Sequence, residues 1–270
     1  MRIAISHIAW DAAEDEAVAA VLRAHGIDAI DIAPGIYFPD PPRASAAEMA
    51  RVRAWWEDRG FEITGMQALL FGTSGLNLFG PRDVQEAMLE RLGAACRIGA
   101  ATGATRLVFG SPRNRDRSGV DDAAVLPVAT AFFRELGDIA SEHGVIVCLE
   151  PNPPRYGANF MTTTPATAEV VRAVAHPSIR MQLDTGALAI NGEDADAMLD
   201  QHAPLVGHVH ASEPDLVPLG DGGTAHAAIA ASIRRRLPAH VVAIEMVATK
   251  QEPHVESIER AVRTAVDHYR

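Results

Sequence analysis

The 270-residue chain is nearly devoid of lysine: of its 24 Lys and Arg residues one, Lys250, is a lysine and 23 are arginines. Schiff-base chemistry needs a lysine amine at the substrate carbonyl, so that route is closed unless Lys250 serves. Only two cysteines occur, Cys96 and Cys148, and neither has a CxxC partner. They exclude a disulfide framework and a thiolate-bound structural zinc, and are expected to be buried small hydrophobes. No stretch approaches the roughly 18 apolar residues of a membrane span, and Met1-Arg-Ile-Ala-Ile-Ser lacks a secretory leader's apolar run, so the expectation is a cytoplasmic protein with no membrane partner. Cations are also in deficit, 24 against 35 acids, for a formal charge of −11. Nucleic-acid binding through a broad basic face is thereby excluded, because phosphate contacts require clustered cations.

What is present describes a folded protein. Hydrophobic residues make up 48% of the chain and mean hydropathy is +0.03, enough apolar material for a sizeable core. Short β-rich runs lie at 2–6, 27–32, 61–67, 105–110, 145–150, 179–184, 206–211 and 240–245. Helical spacing fills the intervals near 14–25, 45–58, 83–101, 121–143, 165–175, 193–201, 225–236 and 254–268; in one, Val84, Met88, Leu92 and Cys96 recur every four residues. His25-Gly26, Arg59-Gly60 and His143-Gly144 read as helix ends. Eight β-then-α units with no linker or low-complexity break predict an α/β fold, a single closed (β/α)8 TIM barrel over residues 1–270, and about 250 residues suffice for one. An open doubly wound sheet is the alternative, but no Gly-x-Gly-x-x-Gly follows the first strand and no Walker-type loop occurs.

Reactive groups in such a barrel belong at the C-terminal ends of the strands. There the fifth run ends at Glu150, the sixth at Asp184 and the eighth at Glu245, while the seventh carries His208 and His210. Each acid follows an apolar run, where an unpaired carboxylate is costly to bury, and a divalent cation would neutralise the set. Oxygen-rich ligands with one imidazole suit Mn²⁺, Mg²⁺ or Co²⁺, with Zn²⁺ as a further option. Strand side chains alternate with period two, so only one histidine reaches the outermost layer. His210 matches the strand-end position of Glu150 and Glu245; His208, Gln182 and Cys148 are expected one layer deeper.

The chain resembles the xylose isomerase-like TIM-barrel superfamily, specifically its sugar phosphate isomerase/epimerase group, which includes ketose 3-epimerases and inosose dehydratases. The resemblance runs from Ile-Ala-Ile-Ser-His-Ile-Ala-Trp at the first strand to Ile-Glu-Met at the eighth. It implies one divalent metal, commonly manganese, on Glu150, Asp184, His210 and Glu245, with the two glutamates moving protons at a sugar carbon. A metal-stabilised enediolate explains either epimerisation or isomerisation, according to where the proton returns. The same abstraction followed by loss of a β-hydroxyl gives dehydration, the lyase alternative. A phosphodiesterase resembling the apurinic endonucleases of the superfamily would need a richer histidine set, and a non-enzymatic barrel would not need the ligands at all. Relatives commonly form dimers or tetramers, so a homo-oligomer is the expectation.

Two departures bear on the substrate. Ketose epimerases usually carry a histidine three residues after the metal-binding aspartate, where this chain has Ala187. After the seventh strand, Ser212-Glu-Pro resembles a branch with a downstream histidine, here His226. The loop Gly110-Ser-Pro-Arg-Asn-Arg-Asp-Arg suggests an anionic substrate group held by Arg113 or Arg115 through forked contacts. Asn152, Tyr156 and Asn159 in the proline-rich loop after Glu150 are candidate readers of sugar hydroxyls, and His7 and Gln67 are candidates at the barrel mouth. The apolar 69–79 segment is expected to form a wall, a lid or a subunit contact.

Overall fold

In a computed structural model that describes residues 1–270, eight strands hydrogen-bond in the order β1 to β8 and β8 closes on β1, every pairing parallel. The strands are β1 (Arg2–Ser6), β2 (Ala29–Ile32), β3 (Glu62–Met66), β4 (Arg106–Phe109), β5 (Ile146–Leu149), β6 (Ile179–Asp184), β7 (Val206–Ser212) and β8 (Val241–Glu245). Helices at Asp15–Ala24, Ala46–Glu57, Arg82–Thr102, Asp122–Glu142, Thr164–Val174, Ala195–His202, His226–Arg236 and His254–Tyr269 join them. This is the (β/α)8 barrel the alternation predicts, with boundaries moved by a residue or two. Two short helices, Pro34–Tyr37 and Thr185–Asn191, have no counterpart in the sequence reading, because a single turn or two carries too little periodicity to register.

Local chemistry sets the ends of the elements. Ser45 and Glu48 form a reciprocal capping box, and Asp121 accepts from the Ala123 N–H to start the long Asp122–Glu142 helix. Gly26 and Gly144 both turn the chain out of a helix at φ +67°, a left-handed conformation that favours glycine. On the Arg82–Thr102 helix, Met88, Leu92 and Cys96 are buried as their four-residue spacing requires, and 65 residues form one apolar cluster between strands and helices. Both cysteines are free and buried, and burial pushes the Cys148 thiol up to about 12. No helix is long and apolar enough to cross a membrane.

Candidate functional site

The side chains of Glu150, Asp184, His210 and Glu245 converge at the C-terminal rim, their ligand-type atoms all within 4.8 Å of one another. Each comes from the end of a successive strand: Glu150 directly after β5, Asp184 closing β6, His210 within β7 and Glu245 closing β8. All four are buried. His210 Nδ1 lies 3.3 Å from Glu245 Oε2 and 3.5 Å from Glu150 Oε1, so one imidazole edge serves both glutamates.

Neighbours fix each of these groups in place. Gln67 Nε2 donates to Glu245 Oε1 at 2.7 Å, and Asn152 Nδ2 donates to Glu150 Oε2 at 3.1 Å. Asp184 caps the short helix after β6, accepting from the Ala187 N–H at 2.6 Å and from Ser212 Oγ at 2.6 Å. Gln182, beneath it, has its hydrogen bonds satisfied with the amide oxygen toward the His210 N–H and Nδ1 and the amide nitrogen toward the His208 carbonyl, each at 3.1 Å.

Charge is out of balance in this arrangement. Burial, then the proximity of Glu245 and Glu150, pushes Asp184 up to about 8. Burial works against a charge on His210, but Glu245 and Glu150 outweigh it and hold the imidazole well above its ordinary pKa. Burial likewise opposes a charged Glu245, and His210 nevertheless keeps that carboxyl below the usual range. One imidazolium cannot neutralise three ionised carboxylates at this separation, so the metal-free site keeps a proton on Asp184. Glu150 Oε1 is buried and makes no well-formed hydrogen bond, its nearest donor being His210 Nδ1 at 3.5 Å. A hard divalent cation fits that donor set: three carboxylates and one imidazole, with no thiolate.

His208 lies one layer down, as period-two alternation requires. Its Nε2 is 2.7 Å from Asp31 Oδ2 in a fully buried pair, and Thr64 Oγ1 donates to the other aspartate oxygen at 2.9 Å. Asp31 was not singled out in the sequence, although the signal was there: an acid inside the apolar run Ile27-Asp-Ala-Ile-Asp-Ile needs a partner as much as Glu150 does. Ser212 and Gly110 were also missed, since neither residue type announces a contact with a site acid.

The other candidates divide sharply. Gln67, Asn152 and Tyr156 line cavities at the mouth, the last two in a lobe of about 400 Å³ beside Asp184. His7 does not; it stacks on Trp10 and Tyr37 at 4.5 and 4.8 Å between ring centroids, with Nε2 3.1 Å from Asp15. Asn159 instead pins the 116–118 turn, accepting from the Arg117 N–H and donating to Asp116. His226 is sealed between Glu213 Oε1, 3.0 Å away, and the Tyr269 hydroxyl, 2.7 Å away.

The arginine loop corrects the expectation of an anion site. Arg115 is fully buried, donating to the Glu150 carbonyl at 2.7 Å and to the Asn152 side chain, and burial pulls its pKa down to about 10. Arg117 pairs with Asp122, Arg113 is exposed, and none of the three lines either mouth cavity. A guanidinium short of acceptors beneath the site is better satisfied by backbone and amide oxygens than by ligand, which the loop's composition could not reveal.

A model of the family described as "Xylose isomerase-like TIM barrel" matches residues 19–270. No curated protein matches the chain by sequence. Among solved structures, a D-psicose 3-epimerase crystallised in the presence of D-fructose superposes with a TM-score of 0.81 at 19% identity, covering 100% of this chain and 99% of its own. The 3-keto-D-glucoside 4-epimerase of E. coli gives 0.79 at 17%, covering 98% and 99%. The IOLI protein with a binding zinc atom gives 0.75 at 18%, covering 100% and 98%. At these identities the likeness is one of fold.

Proposed function

The chain belongs to the xylose isomerase-like TIM-barrel family, and from that premise we propose that it is a divalent-metal-dependent isomerase or epimerase of a sugar or sugar derivative. The observation that carries this reading is the convergence of Glu150, Asp184, His210 and Glu245 within 4.8 Å at the mouth of the barrel. The similarity in fold to sugar epimerases supports it.

Glu150, Asp184, His210 and Glu245 would hold the metal, with manganese the first choice and Co²⁺, Mg²⁺ or Zn²⁺ as alternatives. Bound there, a divalent ion would supply charge neutralisation and polarise a carbonyl beside a hydroxyl. The rest falls to the chain's own residues. Glu150 and Glu245 both approach His210 Nδ1 and share the walls of the cavity, so one carboxylate removes the proton next to the carbonyl and the other returns one. Asn152 and Gln67 hold them through Oε2 of Glu150 and Oε1 of Glu245, leaving the opposite oxygens to face the cluster. Asp184, bound at both oxygens by Ala187 and Ser212, acts as anchor and not as base. No lysine takes part.

The test is incubation of the Mn²⁺-loaded protein in D₂O with a panel of ketoses, keto-glycosides and inososes. Deuterium entering the carbon next to the carbonyl, with the sugar otherwise of unchanged mass, is the expected result. Loss of water from the sugar would instead assign the lyase chemistry. Exchange into none of them, with metal bound, would contradict the proposal.

A further inference from the structure

The space above Glu150 and Glu245 has two lobes, one lined by more apolar residues than the other, that share Gly110, Glu150, Leu216 and Glu245. One, about 400 Å³, presents Asn152, Tyr156, Asp184 and Asp215. The other, about 210 Å³, is walled mainly by Ile8, Leu69, Leu70, Phe71, Phe109 and Leu216, with Gln67 and Ser111 beside them. Leu69 and Leu70 are each 5% exposed, so their wall is anchored in the core, whereas Phe71 at the rim is 81% exposed. The chain's three exposed large apolar side chains, Phe71, Tyr156 and Val247, all stand in the segments that follow β3, β5 and β8, at this end of the barrel. Backbone geometry is committed to the shape: Ala68 at φ +55° and Leu216 at φ +54° hold left-handed conformations that non-glycine residues rarely adopt.

A sugar's hydroxyls need donors and acceptors all round, which the first lobe offers in greater number; beyond the shared glutamates the second has only Gln67, whose Nε2 is taken by Glu245, and Ser111. An apolar cavity of about 150 Å³ accepts a benzene ring, so the second lobe is large enough for an aryl or short alkyl group. No lysine, arginine or histidine lines either lobe, which leaves a phosphate or carboxylate without a partner. Resting on the reading above that the polar lobe takes the sugar, we propose that the substrate is an uncharged sugar derivative carrying an apolar substituent, seated between Phe71 and the Leu69–Leu70 wall while the sugar lies toward Asn152 and Tyr156. The lobes meet at Glu150 and Glu245, so the substituent fixes the sugar's position against both carboxylates.

Binding of non-reactive probes separates this proposal from the catalytic one. Phenyl β-D-glucopyranoside and methyl β-D-glucopyranoside, neither offering a carbonyl, are titrated calorimetrically into the Mn²⁺-loaded protein. The phenyl glycoside binds roughly ten-fold more tightly, the area of one ring removed from water being sufficient for that. Phe71→Ala at the exposed rim, and Ser111→Trp at a partly exposed position that fills the lobe, each remove most of that advantage and leave methyl glycoside affinity unchanged. Equal affinities, no measurable binding of the phenyl glycoside, or an advantage intact in both variants would overturn the proposal. So would a loss of oligomer in Phe71→Ala with the phenyl preference retained, which would assign Phe71 to a chain–chain contact. Failure of every keto-sugar to exchange deuterium would remove the isomerase reading and leave this binding difference fully readable.

Discussion

A Cβ built on Gly110 would overlap Oε2 of Glu150. The glycine ends the β4 run and lines both lobes, so its lack of a side chain is what lets the carboxylate lie flat against the neighbouring strand end. Gly110→Ala displaces Glu150 from the cluster while leaving the barrel's core untouched. Turnover falls by about 10²-fold, the usual consequence of a misplacement on the order of 1 Å, with little change in melting temperature. Steady-state kinetics beside a thermal melt would check this; unchanged turnover would show that Glu150 need not occupy this position.

Gln67 reaches Glu245 across the barrel, 178 residues away in sequence. Gln67→Leu keeps the volume and removes the donor, which costs about 10- to 100-fold in metal affinity or activity by the general behaviour of groups that orient metal ligands. Titrating the variant with Mn²⁺ and following turnover in parallel distinguishes the two losses.

Arg115 predicts an effect blind to substrate charge. Arg115→Met leaves the Glu150 carbonyl and the Asn152 amide oxygen without their buried donor, a loss of about 2–4 kcal/mol in stability. Catalysis drops for neutral and anionic sugars alike. A selective loss for phosphorylated or carboxylated substrates would restore the arginine to the binding of an anion.

Metal binding is expected to release protons. The metal-free site keeps Asp184 largely protonated at neutral pH, its pKa standing at about 8 instead of 3.8, and His210 protonated as well. A carboxyl raised in the folded state stabilises the metal-free protein fully below about pH 4, and the contribution is lost as pH climbs through 8. The metal-free protein therefore melts lower at pH 8.5 than at pH 6.5. Mn²⁺ cancels the difference and displaces up to about two protons at pH 7, read from calorimetry in buffers of different ionisation enthalpy. Binding enthalpies independent of buffer would contradict this.

Glu213 titrates in the opposite sense. Burial raises its pKa, but His226 and the Thr224 and Gly220 N–H groups outweigh that and hold it down at about 2. Its contribution, at most about 3 kcal/mol, is present above pH 4.5 and is lost as pH falls toward 2. Glu213→Gln flattens the acid limb of the stability curve, which urea melts between pH 2.5 and 6 would display.

The barrel and its four rim ligand candidates were legible in the sequence because both rest on periodicity: eight apolar runs, and acids where those runs stop. His208 was placed a layer below His210 by the same alternation. What escaped depends on residues far apart in sequence. That Arg115 turns inward, that His226 is closed off by Glu213 and Tyr269, and that Asn159 holds a turn are consequences of which loop covers which. Composition sees three arginines beside a strand end; only packing decides that one is buried, one is paired and one is in solvent. The apolar 69–79 segment was conspicuous, but its division into a buried Leu69–Leu70 wall and an exposed Phe71 follows from the left-handed turn at Ala68.

The proposed proton transfer depends on one metal held by Glu150, Asp184, His210 and Glu245. It is tested most directly by stripping the protein with chelator and following deuterium exchange into a reactive keto-sugar as Mn²⁺ is returned. Exchange should rise in proportion to metal and saturate at one equivalent per chain, with Asp184→Asn shifting the curve to far higher metal and Glu150→Gln abolishing exchange while still binding the ion. Exchange at full rate in the stripped protein, or undiminished in Glu150→Gln, would contradict it.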